Sequence, residues 1–231
     1  MIHLPKLHPG VSESFPDPRT ALEEPNGLLA FGGDLSTDRL LSAYRQGIFP
    51  WYNPGEPILW WSPNPRCVFE TANVHVSRSM RQLLSRSTWT YTIDKAFGRV
   101  IRACAGEREG QRGTWIGEPM IEAYEALYSE GHAHSVEVWD GENLVGGIYG
   151  LAIGRLFCGE SMFSHATGGS KAALIALCRL LESNGMPLLD AQVTNPHLLS
   201  MGAIELSRDE FLGHAAALVR EKRPADMWGW I

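Results

Sequence analysis

The sequence predicts an α+β fold in two unequal units, a small one over residues 1–65 and a larger one over 66–231. Three observations carry that prediction. Residues 1–65 are rich in proline, glycine and aromatic side chains and hold few periodic stretches. From Cys67 onward, strand and helix periods alternate. Within the larger unit an antiparallel meander, a long apolar helix, a near-continuous apolar strand and a capped final helix follow in order, a layered helix-on-sheet arrangement.

In the small unit a single helix is expected over Thr37–Gln46, where Ser36 can cap it, Leu40, Leu41 and Tyr44 form its apolar face and Gly47 stops it. Gly47–Gly55 reads as a turn-rich loop that presents aromatics. Trp60–Arg66, with Pro63 and Pro65, reads as an extended linker. A short helix is expected over Ser77–Ser85, with Met80, Leu83 and Leu84 inward and Arg78, Arg81 and nearby Arg86 toward solvent. Pro119 suits the first turn of a helix over Met120–Glu130, whose apolar side is Ile121, Tyr124, Leu127 and Tyr128 and whose terminator is Gly131. Strands Ser135–Trp139 and Asn143–Ile153 flank Asp140-Gly141, a hairpin signal. Gly154-Arg155 turns into a third strand, Leu156–Met162. A long helix over Gly169–Ser183 and a buried strand over Leu188–Val193 follow, and the last helix opens with a capping box, Ser207 and Glu210, and ends before Pro224.

Composition excludes several function classes. At 231 residues and 44% hydrophobic, the chain can bury a real core, and 20% charged residues without a single-sign block argue against disorder. No apolar run approaches the ~20 residues that span a bilayer, and Met1–Lys6 lacks the apolar core of a secretory signal. Cys67, Cys104, Cys158 and Cys178 show no C-x-x-C spacing and read as reduced and mostly buried, which points to a cytoplasmic protein. A net charge of −6 argues against broad nonspecific nucleic-acid binding, although a local basic patch can still hold one RNA end.

The sharpest chemical anomaly lies in Leu188–Val193. Residues two apart in a strand share a face, so Asp190 and Gln192 are expected side by side, with Leu189, Ala191 and Val193 opposite. A carboxylate in a buried strand is costly unless paired or hydrogen-bonded; the plain alternative is that the strand emerges into solvent there. Cys158, Glu160 and Met162 share a face by the same alternation, and Glu160 meets the same desolvation problem unless it lies on an edge strand. Ser164–Lys171 opens the long helix and reads either as a capped helix start or as a phosphate or ribose contact; it lacks P-loop spacing. His132 and His134 alternate without a third ligand at metal spacing, and Cys158 has no neighbouring base, so a buried inert thiol is the better reading. Trp51, Trp60, Trp61 and Trp115 suit base stacking or an apolar pocket, with core packing the plain reading for two of the four.

In order along nearly the whole chain, Glu24–Ala30, Gly32–Ser36, Gly47–Trp51, Leu59–Pro63, Gly113–Ile116, Gly131–Trp139, Leu144–Gly150, Leu156–Ser164 and Asp190–Val193 resemble the leucyl/phenylalanyl-tRNA–protein transferases. The resemblance implies a small N-terminal domain and a larger GNAT-like acyltransferase domain. It implies transfer of leucine or phenylalanine (and methionine) from charged tRNA to proteins beginning with Arg or Lys, a degradation signal in the bacterial N-end pathway. No metal or soluble cofactor is implied, because the aminoacyl ester is already activated. Either Asp190 orients the Gln192 amide, whose carbonyl accepts a proton from the attacking amine, or Asp190 is itself the base. Glu160 would hold the cationic acceptor N-terminus.

For the donor, the resemblance implies a side-chain pocket of Ile148, Met162 and Leu177, adenine stacking by Trp51 and Trp115, and support from Ser164 and Asn195. Ile148 stands where the family can carry a methionine. Arg78 and Arg81, with Arg86, match its basic cluster for the tRNA acceptor stem, which Gln82 and Ser85 thin. A monomer is the expected state. Two other readings stay open: an acetyl-CoA-dependent N-acetyltransferase, faintly suggested by Asn195–Gly202, and a noncatalytic module that binds RNA ends.

Overall fold

A computed structural model describes residues 4–11, 14–106, 114–224 and 226–229; Met1, Ile2 and His3 of the N-terminal stretch and Gly113 of the Gly113–Ile116 stretch lie outside them. In chain order the elements are β1 (Lys6–Leu7), β2 (Leu28–Gly32), α1 (Thr37–Arg45), β3 (Phe49–Pro50), β4 (Leu59–Trp61), β5 (Arg66–Glu70), α2 (Arg78–Arg86), β6 (Thr90–Ile93) and α3 (Phe97–Ala105). They continue with α4 (Glu118–Ser129), β7 (Ala133–Asp140), β8 (Asn143–Ile153), β9 (Leu156–Ser164), α5 (Gly169–Ser183), β10 (Leu188–Gln192), α6 (Pro196–Ser200), β11 (Ile204–Leu206) and α7 (Arg208–Leu218). The fold is α+β, as the sequence predicts.

Strands of the first 65 residues form a four-stranded sheet in the order β1-β2-β4-β3, and the rest form a seven-stranded sheet, β11-β5-β10-β9-β8-β7-β6. Trp60–Arg66 is therefore not simply a linker, since its ends belong to β4 and β5. All neighbours in the larger sheet pair antiparallel except β9 and β10. One face of that sheet packs against side chains of α1, α3, α4 and α7 together with Leu29, Phe49 and Trp60 of the small sheet, so the two units share a core. The other face packs on α5, with Met80 of α2 and Leu198 and Met201 nearby.

Local chemistry explains most boundaries. Ser207 and Glu210 form the expected capping box at α7. At α2 the Ser77 hydroxyl accepts the Met80 N–H. Ser36 occupies the N-cap position of α1, but its hydroxyl donates to Asp34 Oδ1 at 2.6 Å instead of capping. The β7–β8 hairpin closes through Gly141-Glu142, with Asp140 paired to Asn143, so the two-residue loop lies one residue beyond the Asp-Gly signal; Gly141 takes the positive φ of +59°.

Two departures from simple alternation place the site. In β9, Gly159 pairs with Gly150 and Ser161 with Tyr149, so Glu160 is an extra residue in a bulge. The bulge reverses the phase: Cys158 and Phe163 lie in one core, Phe157 in the other, and Met162 packs on the Phe157 side. Met162 thus does not share a face with Cys158, contrary to the alternation reading. In β10 the register with β5 slips between Asp190 and Gln192, and Gln192 has a φ of +64°. β9 and β10 stay paired only as far as Cys158 and Asp190, and then diverge.

Candidate active site

Where β9 and β10 diverge, a cavity of about 290 Å³ opens. Phe49, Pro50 and Trp51 form one wall and Trp115 another, Ile148, Met162 and Leu174 give an apolar recess, and Glu160, Gln192, Thr194 and Asn195 supply polar atoms. Expected residues Trp51, Trp115, Ile148, Met162, Glu160, Gln192 and Asn195 meet here. Leu177 does not line it; it is buried one turn farther along α5, and Leu174 takes its place. Ser164 also lies outside the lining, its Oγ accepting the Ser170 N–H at 2.7 Å and so fastening the start of α5. Asn195 caps α6 through Leu198 N–H.

Asp190 is 1% exposed and does not line the cavity. Its carboxylate receives Arg66 Nε at 2.8 Å and Nη2 at 2.7 Å, a bidentate pair. Arg66 also donates from Nη1 to the Gly47 carbonyl, and its guanidinium lies against the rings of Phe49 and Phe211. Asp190 Oδ1 further accepts the backbone N–H of Gln192 at 2.9 Å. The contact between Asp190 and Gln192 is therefore through the main chain, not through the side-chain amide. It holds the left-handed turn at Gln192, a conformation costly for a non-glycine residue.

The Gln192 amide is held by Glu160 instead: Nε2 donates to Oε1 at 2.8 Å. Tyr44 donates to Glu160 Oε1 at 2.7 Å and Tyr124 to Oε2 at 2.8 Å, and the two phenol oxygens also contact each other. Burial pushes the Glu160 carboxyl up to about 7; Tyr44, Tyr124 and Gln192 oppose that rise, and the Asp190 charge adds to it. Both phenols are pushed well above 10, first by burial and then by Glu160. The Gln192 carbonyl oxygen accepts no hydrogen bond from the described residues. An N–H fixed on a carboxylate polarises the amide and makes that oxygen a better acceptor.

Sequence reasoning missed Arg66, Tyr44 and Tyr124 as site residues. A buried Asp190 demands a cation, and Arg66 directly before the apolar run Cys67-Val68-Phe69 was the signal. The tyrosines read as helix faces, and nothing local marks their hydroxyls. Trp60 is wholly buried and Trp61 donates Nε1 to the Trp51 carbonyl, steadying the cavity wall. Burial holds the Cys158 thiol well above its usual range, as expected of an inert cysteine. His134 binds Asp94 and stacks on Trp228, and no group of three metal-ligating side chains occurs among the described residues. Arg78, Arg81 and Arg86 all lie exposed on α2. No helix among the described residues is long and apolar enough to cross a membrane.

Comparison with known proteins adds independent findings. The family model described as leucyl/phenylalanyl-tRNA protein transferase matches residues 68–216, and that of its N-terminal domain matches 33–64. The leucyl/phenylalanyl-tRNA–protein transferase of Xanthomonas campestris pv. campestris (strain B100) is 55% identical over 96% of this chain and 90% of its own. That of Xanthomonas oryzae pv. oryzae (strain MAFF 311018) is 59% identical over 89% and 83%, and that of Shewanella pealeana is 54% identical over 94% and 92%. A solved structure of L-PGS from Bacillus licheniformis superposes with a TM-score of 0.41 at 11% identity, covering 72% of this chain and 53% of that one, too loosely to bear on fold or function. On the family model and these identities, the chain belongs to the leucyl/phenylalanyl-tRNA–protein transferase family.

Proposed function

We propose that this protein is a cytoplasmic, monomeric aminoacyltransferase that moves leucine or phenylalanine, and also methionine, from charged tRNA to the α-amino group of proteins beginning with Arg or Lys. The product carries a degradation signal. The observation that supports this best is the Gln192 carbonyl oxygen, unengaged at the mouth of an apolar recess while its N–H is pinned on Glu160. The neutral α-amine donates a hydrogen bond to that oxygen and attacks the ester carbonyl. A C–N bond forms, the bond to the ribose oxygen breaks, and the amine proton passes to that oxygen. Much of the acceleration comes from holding the two substrates together. Asp190, tied to Arg66, is a positioning residue in this scheme and not the base.

Ile148, Met162 and Leu174 receive the donor side chain, Trp51 and Trp115 flank the adenine, and Asn195 shapes the neighbouring rim. Arg78, Arg81 and Arg86 meet the acceptor-stem phosphates. The boundary near residue 65 separates a unit that supplies Phe49, Pro50 and Trp51 from one that supplies Trp115, Glu160 and Gln192. Glu160, enclosed by three donors, serves Gln192 and is not available to clamp the acceptor cation.

The acetyl-CoA reading meets an obstacle at the start of α5. Ser164 already takes the Ser170 N–H, and a Cβ on Gly169 would lie 2.3 Å from the Val145 carbonyl oxygen, so β8 closes over the helix end. Transfer of radiolabelled leucine from charged tRNA to an Arg-starting peptide, without ribosomes, tests the proposal. Transfer is expected. Its absence with leucyl-, phenylalanyl- and methionyl-tRNA alike would contradict it, and thermal stabilisation by CoA but not by an aminoacyl-adenosine analogue would favour the rival.

A further inference from the structure

We infer that Glu205 recognises the cationic first side chain of the acceptor protein, an inference that rests on the transferase reading above. An acceptor whose α-amine reaches Gln192 and whose first side chain carries a positive charge needs an accessible carboxylate within reach of that side chain. Both carboxylates beside Gln192 are already engaged. Glu160 already accepts from Tyr44, Tyr124 and Gln192, and Asp190 is sealed behind Arg66.

Sheet register points to the carboxylate that can. Gln192 of β10 and Glu205 of β11 are both register partners of Cys67, one on each side of β5. Two inter-strand steps put their Cα atoms about 10 Å apart. Directly opposed residues of an antiparallel pair point to the same face, and so do residues two apart along a strand. Glu205 therefore shares the face of Cys67, which is the face of Phe69, and Phe69 lines the cavity. A hydrogen bond fixes the placement: Thr194, itself a lining residue, donates Oγ1 to Glu205 Oε1 at 2.6 Å. Glu205 is exposed, Oε2 has no hydrogen-bond donor among the described residues, and no Lys or Arg pairs with it there. The separation from Gln192 lies within the span of an arginine or lysine side chain extended from its own α-amine. The basic residues of α2 sit on a different element and do not line the cavity.

The test uses the whole protein, leucyl-tRNA and two acceptor peptides that differ only in their first residue, arginine or its neutral isostere citrulline. Wild-type protein should prefer the arginine peptide. In E205Q, kcat/KM for that peptide should fall about tenfold or more, the value of one charge-assisted hydrogen bond, through KM. The citrulline peptide and the KM for leucyl-tRNA should be unchanged. E205K should lower transfer to the arginine peptide further and raise it for a peptide beginning with glutamate. An arginine-to-citrulline ratio in E205Q equal to that of the wild type overturns the assignment while leaving the transferase reading intact. Failure of the wild type to use either peptide removes both.

Discussion

At the residue scale, Gln192 is set by two acidic groups with separate tasks, Asp190 on its backbone and Glu160 on its amide. Variants of the two should therefore behave differently. With its folded value near 7 against an ordinary 4.5, Glu160 keeps a proton that the unfolded chain releases, so its own contribution to stability is full below about pH 4.5 and is lost as pH rises through 7. E160Q should flatten that decline, measured as the difference in thermal midpoint between pH 5 and pH 8. In the proposed mechanism the carboxylate form polarises Gln192, so wild-type kcat should rise through pH 7 and E160Q should lose that inflection. R66M strands Asp190 in the core without its cation and should cost about 3–5 kcal/mol in urea unfolding. R66M/D190L should regain much of that stability but not activity, because the Gln192 N–H then lacks its acceptor.

The residue types were legible before their geometry was. Asp190 and Gln192 stand out in an apolar strand, and the pattern did not show that a register slip turns one into the core and the other into the cavity. The same limit applies to Glu160, whose bulge depends on a neighbouring strand. Tyr44 and Tyr124 carry their information in hydroxyl groups that no local period marks.

At the scale of elements, β9 and β10 make the site by diverging, and β8 and α5 make it by touching. A Cβ on Gly146 would lie 2.4 Å from the Gly169 backbone, and one on Gly150 would lie 2.2 Å from the Cys158 carbonyl oxygen beside the bulge. G146A should therefore push α5 off the sheet and destabilise the fold by about 1–3 kcal/mol, with a lowered thermal midpoint as the readout. Since Leu174 and not Leu177 faces the recess, L174A should favour phenylalanine over leucine as donor by several-fold, as enlarging a pocket by a few methylenes does. L177A should instead lower stability with little change in the kcat/KM ratio. The apolar faces of α2 and α5 made them readable within a residue or so, and the capping box fixed the start of α7 though not its end at Leu218. β5, β6, α3, α6 and β11 lacked such signals: they are short or pack through residues distant in sequence, and long-range pairing decides them.

Across the whole molecule, the small sheet and the large one share a core, and Arg66 bridges them by holding Gly47 and Asp190 at once. The net charge of −6 makes the arginines of α2 a local exception on an acidic protein. R81A should weaken binding of charged tRNA and lower the salt slope by about 1, the expected effect of one lost phosphate contact, with kcat at saturating tRNA unchanged. The central role given to Gln192 is tested most directly by transfer of labelled leucine to an Arg-starting peptide by Q192A beside the wild type, with tRNA binding followed in parallel. Unchanged tRNA affinity is expected, with a kcat lowered about 10²-fold, the low end for a lost proton acceptor; a Q192A protein that transfers leucine at the wild-type rate would contradict that role.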